Sequence, residues 1–183
     1  MNVAGTLGTL AETQAGRTWM LESHCIDLLI DRITTLLRSD NTWTAGNSAL
    51  VLARLSISED GCYRLLNHKN YKTILENLIN SLGSSGRGTN AAFAIGRLCD
   101  QKMEQNVLEN HDGLEKMVTQ LYKMLNSDDV RWSKNACFAI SCLANKKWGQ
   151  DKILSSYFCS EILCTLARLL FAEDQETGWF SAV

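Results

Sequence analysis

One ten-residue pattern occurs four times in this sequence at a nearly constant interval. It is clearest as Asn-Ala-Ala-Phe-Ala-Ile-Gly-Arg-Leu-Cys, which begins at Asn90, and its nearest copy begins at Asn135. Looser copies begin at Asn47 and Asn2, so the asparagines stand 45, 43 and 45 residues apart. A fixed period of this length is typical of solenoids, in which each unit buries its apolar face against its neighbours. The repeat therefore predicts a stack of similar helical units.

The segments between the decapeptides carry helical patterning. Apolar residues recur there at steps of three and four, for example at Leu114, Met117, Val118 and Leu121. The chain has no proline, although average usage of about 5% would give roughly nine. Because proline costs about 3 kcal/mol inside a helix, its absence favours uninterrupted helices. With polar turns such as residues 126–129 between them, one unit is predicted to hold a short first helix, a longer second helix and a third helix that carries the decapeptide.

Composition and charge exclude several classes of protein. The content of 45% hydrophobic and 21% charged residues fits a globular fold rather than a disordered chain. The formal net charge of -2 gives the chain no overall positive electrostatic potential that would attract a polyanion, so nucleic acid is not expected as a partner. No segment approaches about 18 uninterrupted apolar residues, so no membrane association is expected. Seven cysteines, an odd number, and the lack of a signal-peptide pattern predict a reduced intracellular protein, which we expect in the cytoplasm.

The order of the helices, with small residues two positions after each asparagine and aliphatic residues five and eight positions after it, resembles the armadillo repeat. HEAT repeats are the neighbouring possibility, but they are two-helix units that often carry a proline. The resemblance covers almost the whole chain and implies an all-α, right-handed α-solenoid of three-helix repeats, truncated at both ends. It divides the single domain, residues 1–183, into a partial repeat with only a third helix at 1–15, full repeats at 16–58, 59–101 and 102–146, and a partial repeat at 147–183.

One side of each predicted third helix is available to a partner. On a helical wheel, the small and aliphatic positions of the decapeptide fall together and face the stack. The asparagine and the residues three and seven positions after it share the opposite side. In armadillo proteins the third helices line a concave groove, so the resemblance assigns this side to partner binding. The candidate groove residues are Asn47, Leu50, Arg54, Asn90, Phe93, Arg97, Asn135, Phe138 and Cys142.

The chemistry of these residues suits another protein, bound as an extended peptide or a helix. A carboxamide can hold both the N–H and the C=O of an extended backbone, whatever its side chains. Phe93 and Phe138 would supply an apolar floor, while Arg54 and Arg97 would supply positive charge for carboxylates or phosphates. Three alternatives stay open: the asparagines bond within the protein, the phenylalanines pack in the core, and the arginines are simply solvated.

The pattern departs from the armadillo proteins that bind nuclear-localisation peptides. Those proteins present a tryptophan and an asparagine on each third helix. At the matching places this chain has leucine or phenylalanine, and arginine or cysteine. Two groove arginines would also repel basic cargo, so recognition of such peptides is not expected.

Other reactive residue types recur with the repeat and do not form a catalytic or metal site. His24, His68 and His111 stand about one repeat apart at the junction of first and second helices, too far from each other to share a metal ion. No cysteine pair has the spacing of a zinc or redox motif, although Cys142 is a candidate reactive thiol on the groove side. Residues 83–88 lack the strand and lysine of a phosphate-binding loop, so we interpret them as a loop between helices. No cofactor or metal is expected.

Two further residue types recur in register with the asparagines. Glycines stand fourteen residues after three of them, at Gly16, Gly61 and Gly149. Tryptophans mark the start of third helices, at Trp43, Trp132 and Trp179. We expect these tryptophans to wedge adjacent repeats together in the core.

No catalytic constellation is present, so the sequence predicts a protein that is not an enzyme. The leading hypothesis is a scaffold or adaptor segment that binds a partner polypeptide along the third helices. The alternative is a regulatory or positioning arm of a larger protein, kinase-like or ubiquitin-ligase-like, with catalysis outside this chain. Single-stranded RNA binding by a helical-repeat code is a third hypothesis, which the net charge and the long period disfavour.

Overall fold

The computed structural model describes residues 3–101 and 107–182, and these residues form twelve α-helices and no strand. Asn2, the start of the first decapeptide, lies outside the described residues. The helices are α1 (Val3–Leu10), α2 (Gln14–Glu22), α3 (Ile26–Leu36), α4 (Thr42–Leu55), α5 (Glu59–Leu66), α6 (Tyr71–Ser81), α7 (Gly88–Cys99), α8 (Leu114–Leu125), α9 (Val130–Ala144), α10 (Lys147–Leu154), α11 (Cys159–Leu169) and α12 (Gln175–Ala182).

The helices stack as rows of equivalent elements. The third helices α1, α4, α7, α9 and α12 each pack against the next one, and the second helices α3, α6, α8 and α11 form a parallel row beside them. Helices α2, α5 and α10 are first helices. The first helix predicted for the unit at 102–146 falls largely on residues 102–106, outside the described residues, and residues 107–110 form turns. The prediction of an all-α solenoid of three-helix units is confirmed.

Small residues set the spacing of the third helices. Ala91, Ala92 and Ala94 of α7 and Ala136 and Ala139 of α9 have no exposed surface. Because these side chains end at Cβ, the two helix backbones approach closely, and this row is the densest part of the core. The second helices fill the remaining space with larger aliphatic side chains, including Leu75 and Leu78 of α6, Leu82 directly after it, and Met117 and Leu121 of α8.

The recurring glycines allow each first helix to meet the end of the preceding third helix. A Cβ atom at each of the three would lie only 1.8, 1.9 and 2.1 Å from a backbone oxygen of the preceding third helix. The pairs are Gly16 with Leu10, Gly61 with Leu55 and Gly149 with Leu143. Any larger residue would push the two backbones apart, so this glycine is part of the geometry of the repeat.

At the junction between first and second helices, the structure shows that the three histidines are not all equivalent. Ser23, His68, His111 and Ser156 each accept a hydrogen bond from the backbone N–H two residues later, at 3.0–3.4 Å. The residue equivalent to His68 and His111 is therefore Ser23 and not His24, which is exposed. Two of the three histidines are turn residues that prepare the start of a second helix. The described residues contain no group of three or more His, Cys, Asp or Glu placed to hold a metal ion.

Only one of the three tryptophans at the starts of third helices packs between repeats as the sequence predicted. The ring of Trp132 is half-buried, and a Cβ atom on Gly88 of the preceding third helix would lie 3.3 Å from it, as expected for a wedge. Trp43 is 79% exposed and Trp179 is 64% exposed. The prediction is wrong for these two residues because their side chains, on α4 and α12, face solvent rather than the next repeat.

The loop before α7 delays the start of that helix. Residues 83–87 form turns, Gly86 has a φ of +80°, and α7 begins at Gly88. The other complete third helices begin five residues before their asparagine, whereas α7 begins two residues before Asn90. The interpretation of residues 83–88 as a loop between helices thus agrees with the structure for residues 83–87, whereas Gly88 is the first residue of α7. Within the described ranges, no helix is long and apolar enough to cross a membrane.

Candidate partner-binding face of the third helices

The asparagines of the decapeptides lie half-buried on successive third helices. The carboxamide of Asn135 donates to the carbonyl of Arg131, one turn earlier in the same helix, at 2.9 Å. The carboxamide of Asn90 has no hydrogen-bonding partner among the residues that the structure describes. These two side chains therefore do not form a ladder between repeats, and Asn90 keeps its donors and acceptor for a partner.

Half-buried aromatic rings line the same face. The rings of Phe93 and Phe138 are stacked with their centroids 5.3 Å apart, and Phe180 of α12 lies 5.1 Å from Phe138. Leu50 occupies the equivalent place on α4 and is also half-buried. We call Leu50, Phe93, Phe138 and Phe180 the apolar strip. Phe180 does not fall at the decapeptide position of the other three, so the repeat pattern did not reveal it.

Glycine on the preceding helix creates the space for the strip. A Cβ atom on Gly96 would lie 2.7 Å from the ring of Phe138, and one on Gly8 would lie 3.3 Å from the side chain of Leu50. Phe138 and Leu50 thus rest on the preceding third helix, each against the glycine that stands six residues after the asparagine of that helix's decapeptide. This packing holds the rings in place while leaving part of their surface exposed.

The two arginines of the face bind the ends of the preceding third helices. Arg54 donates from Nη1 to the carbonyl of Gly8 at 2.6 Å. Arg97 donates from Nε to Ser56 at 3.2 Å and from Nη2 to Ile57 at 2.9 Å. The last carbonyls of a helix lack partners within it, and the negative end of the helix dipole favours a cation. These guanidinium groups are thus engaged within the chain, which differs from the free positive charge expected from the sequence.

Lys146 has the same role one repeat later. Its ammonium donates to the carbonyls of Asp100 and Gln101, at 3.3 and 3.2 Å, at the end of α7. Sequence reasoning missed Lys146 because it lies four residues beyond the equivalent of Arg97. We call the contacts of Arg54, Arg97 and Lys146 with these carbonyls the carbonyl clasps.

Cys142 lies in the core rather than on the face. Its side chain is only 5% exposed, and burial raises the pKa of its thiol to about 11. The expectation of a reactive thiol on the groove side is therefore wrong. Cys142 lies on the same helix as Asn135 and Phe138, but unlike these half-buried side chains it is covered by the surrounding core.

The charged groups of the third helices have partners of opposite charge. Arg54 lies 3.3 Å from Glu12, and Arg97 lies 3.9 Å from Asp100. Lys134 of α9 contacts Glu176 of α12 at 2.6 Å. This hydrogen bond raises the pKa of the Lys134 ammonium, which stays protonated.

Arg131, at the start of α9, also has a partner of opposite charge. It lies 2.8 Å from Asp129, and the hydrogen bond from its guanidinium lowers the pKa of that carboxyl. No cation or acid within the described third helices is therefore left without a counter-charge, and the face as a whole is close to neutral.

Among the residues that the structure describes, no enclosed cavity lies on the third-helix face. A cavity of about 960 Å³ lies instead between α6 and α8, where Tyr71, Ile79, His111 and Lys116 are among its lining residues. Small-molecule sites are concave pockets that enclose most of the ligand. The third-helix face, with its row of half-buried rings and carboxamides, is better suited to a long ligand that lies across several repeats.

Comparison with solved structures identifies the fold. The chain is similar to computationally designed armadillo repeat proteins for modular peptide recognition, with a TM-score of 0.70 and 18% identity over 97% of this chain and 71% of that chain. It is similar to a designed armadillo repeat protein in complex with the peptide (KR)4, with a TM-score of 0.63 and 15% identity over 98% and 88% of the two chains. An engineered protein gives a TM-score of 0.67 and 17% identity over 100% of this chain and 77% of that chain. No family model and no curated protein matches the sequence. The armadillo-like fold expected from the repeat is confirmed.

Proposed function

We propose that this armadillo-like solenoid is a scaffold or adaptor segment that binds a partner polypeptide along the face of its third helices. The observation that carries the proposal is the alignment of half-buried carboxamides on three successive third helices with the apolar strip, which continues onto a fourth. Carboxamides hold a peptide backbone without regard to its sequence, and exposed apolar patches mark interaction sites. A designed armadillo repeat protein of the same fold is in complex with a peptide, which supports this use of the fold.

The groove residues keep different roles in this proposal. Asn47, Asn90 and Asn135 hold the partner backbone, while Leu50, Phe93 and Phe138 contact its side chains. Arg54 and Arg97 position the third helices through the carbonyl clasps and meet the partner with the remainder of their surface. Cys142 is buried and takes no part in binding. The protein acts by binding and not by catalysis.

An intracellular location accompanies the proposal. All seven cysteines are free thiols in the structure. Free thiols persist in reducing compartments, whereas oxidising compartments favour disulfides. The alternative proposal, a regulatory or positioning arm of a larger enzyme, uses the same face and differs in what is attached to it. The full reading frame distinguishes the two, since an attached catalytic domain supports the arm and a parent of helical repeats alone removes it.

Peptide display tests the proposed face. Peptides selected from a random library against this protein are expected to bind about tenfold more weakly to the double variant Asn90→Ala and Asn135→Ala, which loses the backbone contacts. The matched control is Asn67→Ala with Asn126→Ala, because both of these exposed carboxamides donate to the carbonyl four residues earlier, as Asn135 does. Equal loss in both double variants, or no loss in the first, would contradict the proposal.

A further inference from the structure

We infer that the occupant of the third-helix face is an extended polypeptide segment of low net charge, with apolar side chains at alternating positions that lie on the apolar strip. This inference rests on the proposed function and adds the chemical class of the partner. Three independent features of the face support it: the scarcity and pairing of charge, the continuity of the strip, and the free carboxamide beside it.

The third helices are depleted in charge. Their only charged residues are Arg54, Arg97, Arg131, Lys134 and Glu176. The chain has 18 basic and 20 acidic residues, and the third helices hold five of them although they span nearly a third of its length. Each of the five has an opposite charge within 3.9 Å. Charge depletion at the centre of a surface is typical of protein interfaces.

Paired charges offer little to a charged partner. A basic peptide such as (KR)4 needs carboxylates, but the one acidic residue of the third helices, Glu176, contacts Lys134 at 2.6 Å. An acidic peptide needs free cations, but Arg54 and Arg97 donate to backbone carbonyls. A charged occupant would therefore have to break contacts within the chain before forming its own, at a cost that a neutral occupant avoids.

The apolar strip is continuous over the last three third helices. Phe93 stacks on Phe138, Phe138 contacts Phe180, and the ring of Trp179 lies 5.0 Å from that of Phe180. The three phenylalanine rings are half-buried, and Trp179 is 64% exposed. Contiguous aromatic surface of this kind is typical of a site that another molecule covers. Its apolar character selects apolar side chains.

The carboxamide of Asn90 favours an extended occupant over a helical one. A helix satisfies its own backbone groups and leaves nothing for a carboxamide to bind, whereas an extended chain presents free N–H and C=O groups. Side chains on one face of an extended chain recur about every 7 Å. Two such side chains of the partner would therefore cover the row formed by Phe93, Phe138 and Phe180, whose neighbouring ring centroids are 5.3 and 5.1 Å apart.

The test is a selection from a library of random peptides, carried out at low and at high salt. Since packed helices lie about 8 to 10 Å apart and an extended residue covers about 3.3 Å, a peptide of about ten residues spans the four helices of the strip. We expect the enriched peptides to have apolar residues at alternating positions and a net charge near zero. Their affinity is expected to change less than about twofold between the two salt concentrations.

A pair of matched variants locates the apolar contact. Phe138→Ala is expected to weaken binding of the enriched peptides about tenfold, because it removes the middle ring of the strip. Phe158→Ala removes another half-buried ring, stacked on Tyr122 at 4.6 Å on the side of the second helices, and is expected to leave binding within about twofold. Phe138→Leu keeps the site apolar and should bind within about threefold of the parent chain. Circular dichroism confirms that each variant is folded.

The outcomes separate this inference from the function on which it rests. Enriched peptides that are basic or acidic, bind more weakly as salt rises, and lose binding in the Asn90→Ala and Asn135→Ala variant would overturn the inference and leave the proposed function standing. Equal effects of Phe138→Ala and Phe158→Ala would likewise overturn the inference alone. Failure to enrich any peptide above the level of the double asparagine variant would overturn both.

Discussion

Burial sets the reactivity of the cysteines in this chain. Burial raises the pKa of the Cys142 thiol to about 11 and that of the Cys62 and Cys137 thiols to about 12, from an ordinary value of 9.0. A thiol whose pKa is two units higher holds about a hundredfold less of the reactive thiolate at neutral pH. Cys25 and Cys164, by contrast, are exposed to reagents.

We therefore predict two classes of cysteine in a labelling experiment. Iodoacetamide at neutral pH is expected to modify Cys25 and Cys164 while the protein is folded, and the four buried cysteines only after denaturation. Mass spectrometry of peptides after timed labelling measures the order. Rapid modification of Cys142 in the folded protein would show that this residue is open to solvent and would return it to the binding face.

At the scale of secondary-structure elements, the carbonyl clasps join α4, α7 and α9 each to the third helix before it. Arg97 reaches from α7 to the end of α4, across 41 residues of sequence to Ser56 and 40 to Ile57. Its side chain is 26% exposed, so water competes only partly with these hydrogen bonds. A hydrogen bond that involves a charged group contributes about 1.5 to 3 kcal/mol. The clasp thus stabilises the contact between neighbouring repeats as well as the helix end.

We predict that Arg97→Met lowers the free energy of unfolding by about 2 kcal/mol, because the methionine fills similar space but donates no hydrogen bond to the two carbonyls. Unfolding in urea, followed by circular dichroism, measures the change. The matched control is Arg64→Met, since Arg64 is 46% exposed and lies 3.8 Å from Asp27, a surface pair that contributes little. If both variants lose the same free energy of unfolding, the clasp does not stabilise the contact between repeats more than a surface ion pair does.

At the scale of the whole molecule, packing is uneven along the solenoid. Helices α7 and α9 each contain eight buried residues, whereas α10 and α12 contain one each and α11 contains two. In a solenoid each repeat contacts only its neighbours, so local stability follows local burial. The central repeats are therefore expected to be the most stable part of the described chain.

We predict a corresponding gradient in amide hydrogen exchange. The amides of α7 and α9 should exchange at least about tenfold more slowly than those of α10, α11 and α12, because opening the latter helices exposes less apolar surface. Exchange followed by mass spectrometry of peptic peptides measures the gradient. Uniform protection from α4 to α12 would indicate that the repeats unfold as one cooperative unit and would contradict this prediction.

The same scale explains why the fold could be predicted from sequence. The period of the decapeptide, the spacing of apolar residues and the recurring glycines all reflect contacts that each repeat makes in the same way. Gly61, for example, recurs because the backbone of α4 ends against it. The candidate face was less predictable. Its asparagines and phenylalanines are half-buried, but Cys142 is covered, Phe180 joins the strip, and the arginines bind carbonyls.

The sequence by itself determined the helices, their order within each unit and the side of the third helix that faces away from the stack. These follow from local periodicity, which any single repeat contains. Only the tertiary structure decided which side chains on that side are available to a partner. Arg54 is engaged by Gly8, 46 residues away, and Lys146 by Asp100, also 46 residues away. Contacts between repeats depend on how two copies of the pattern meet in space, and no single copy specifies that geometry.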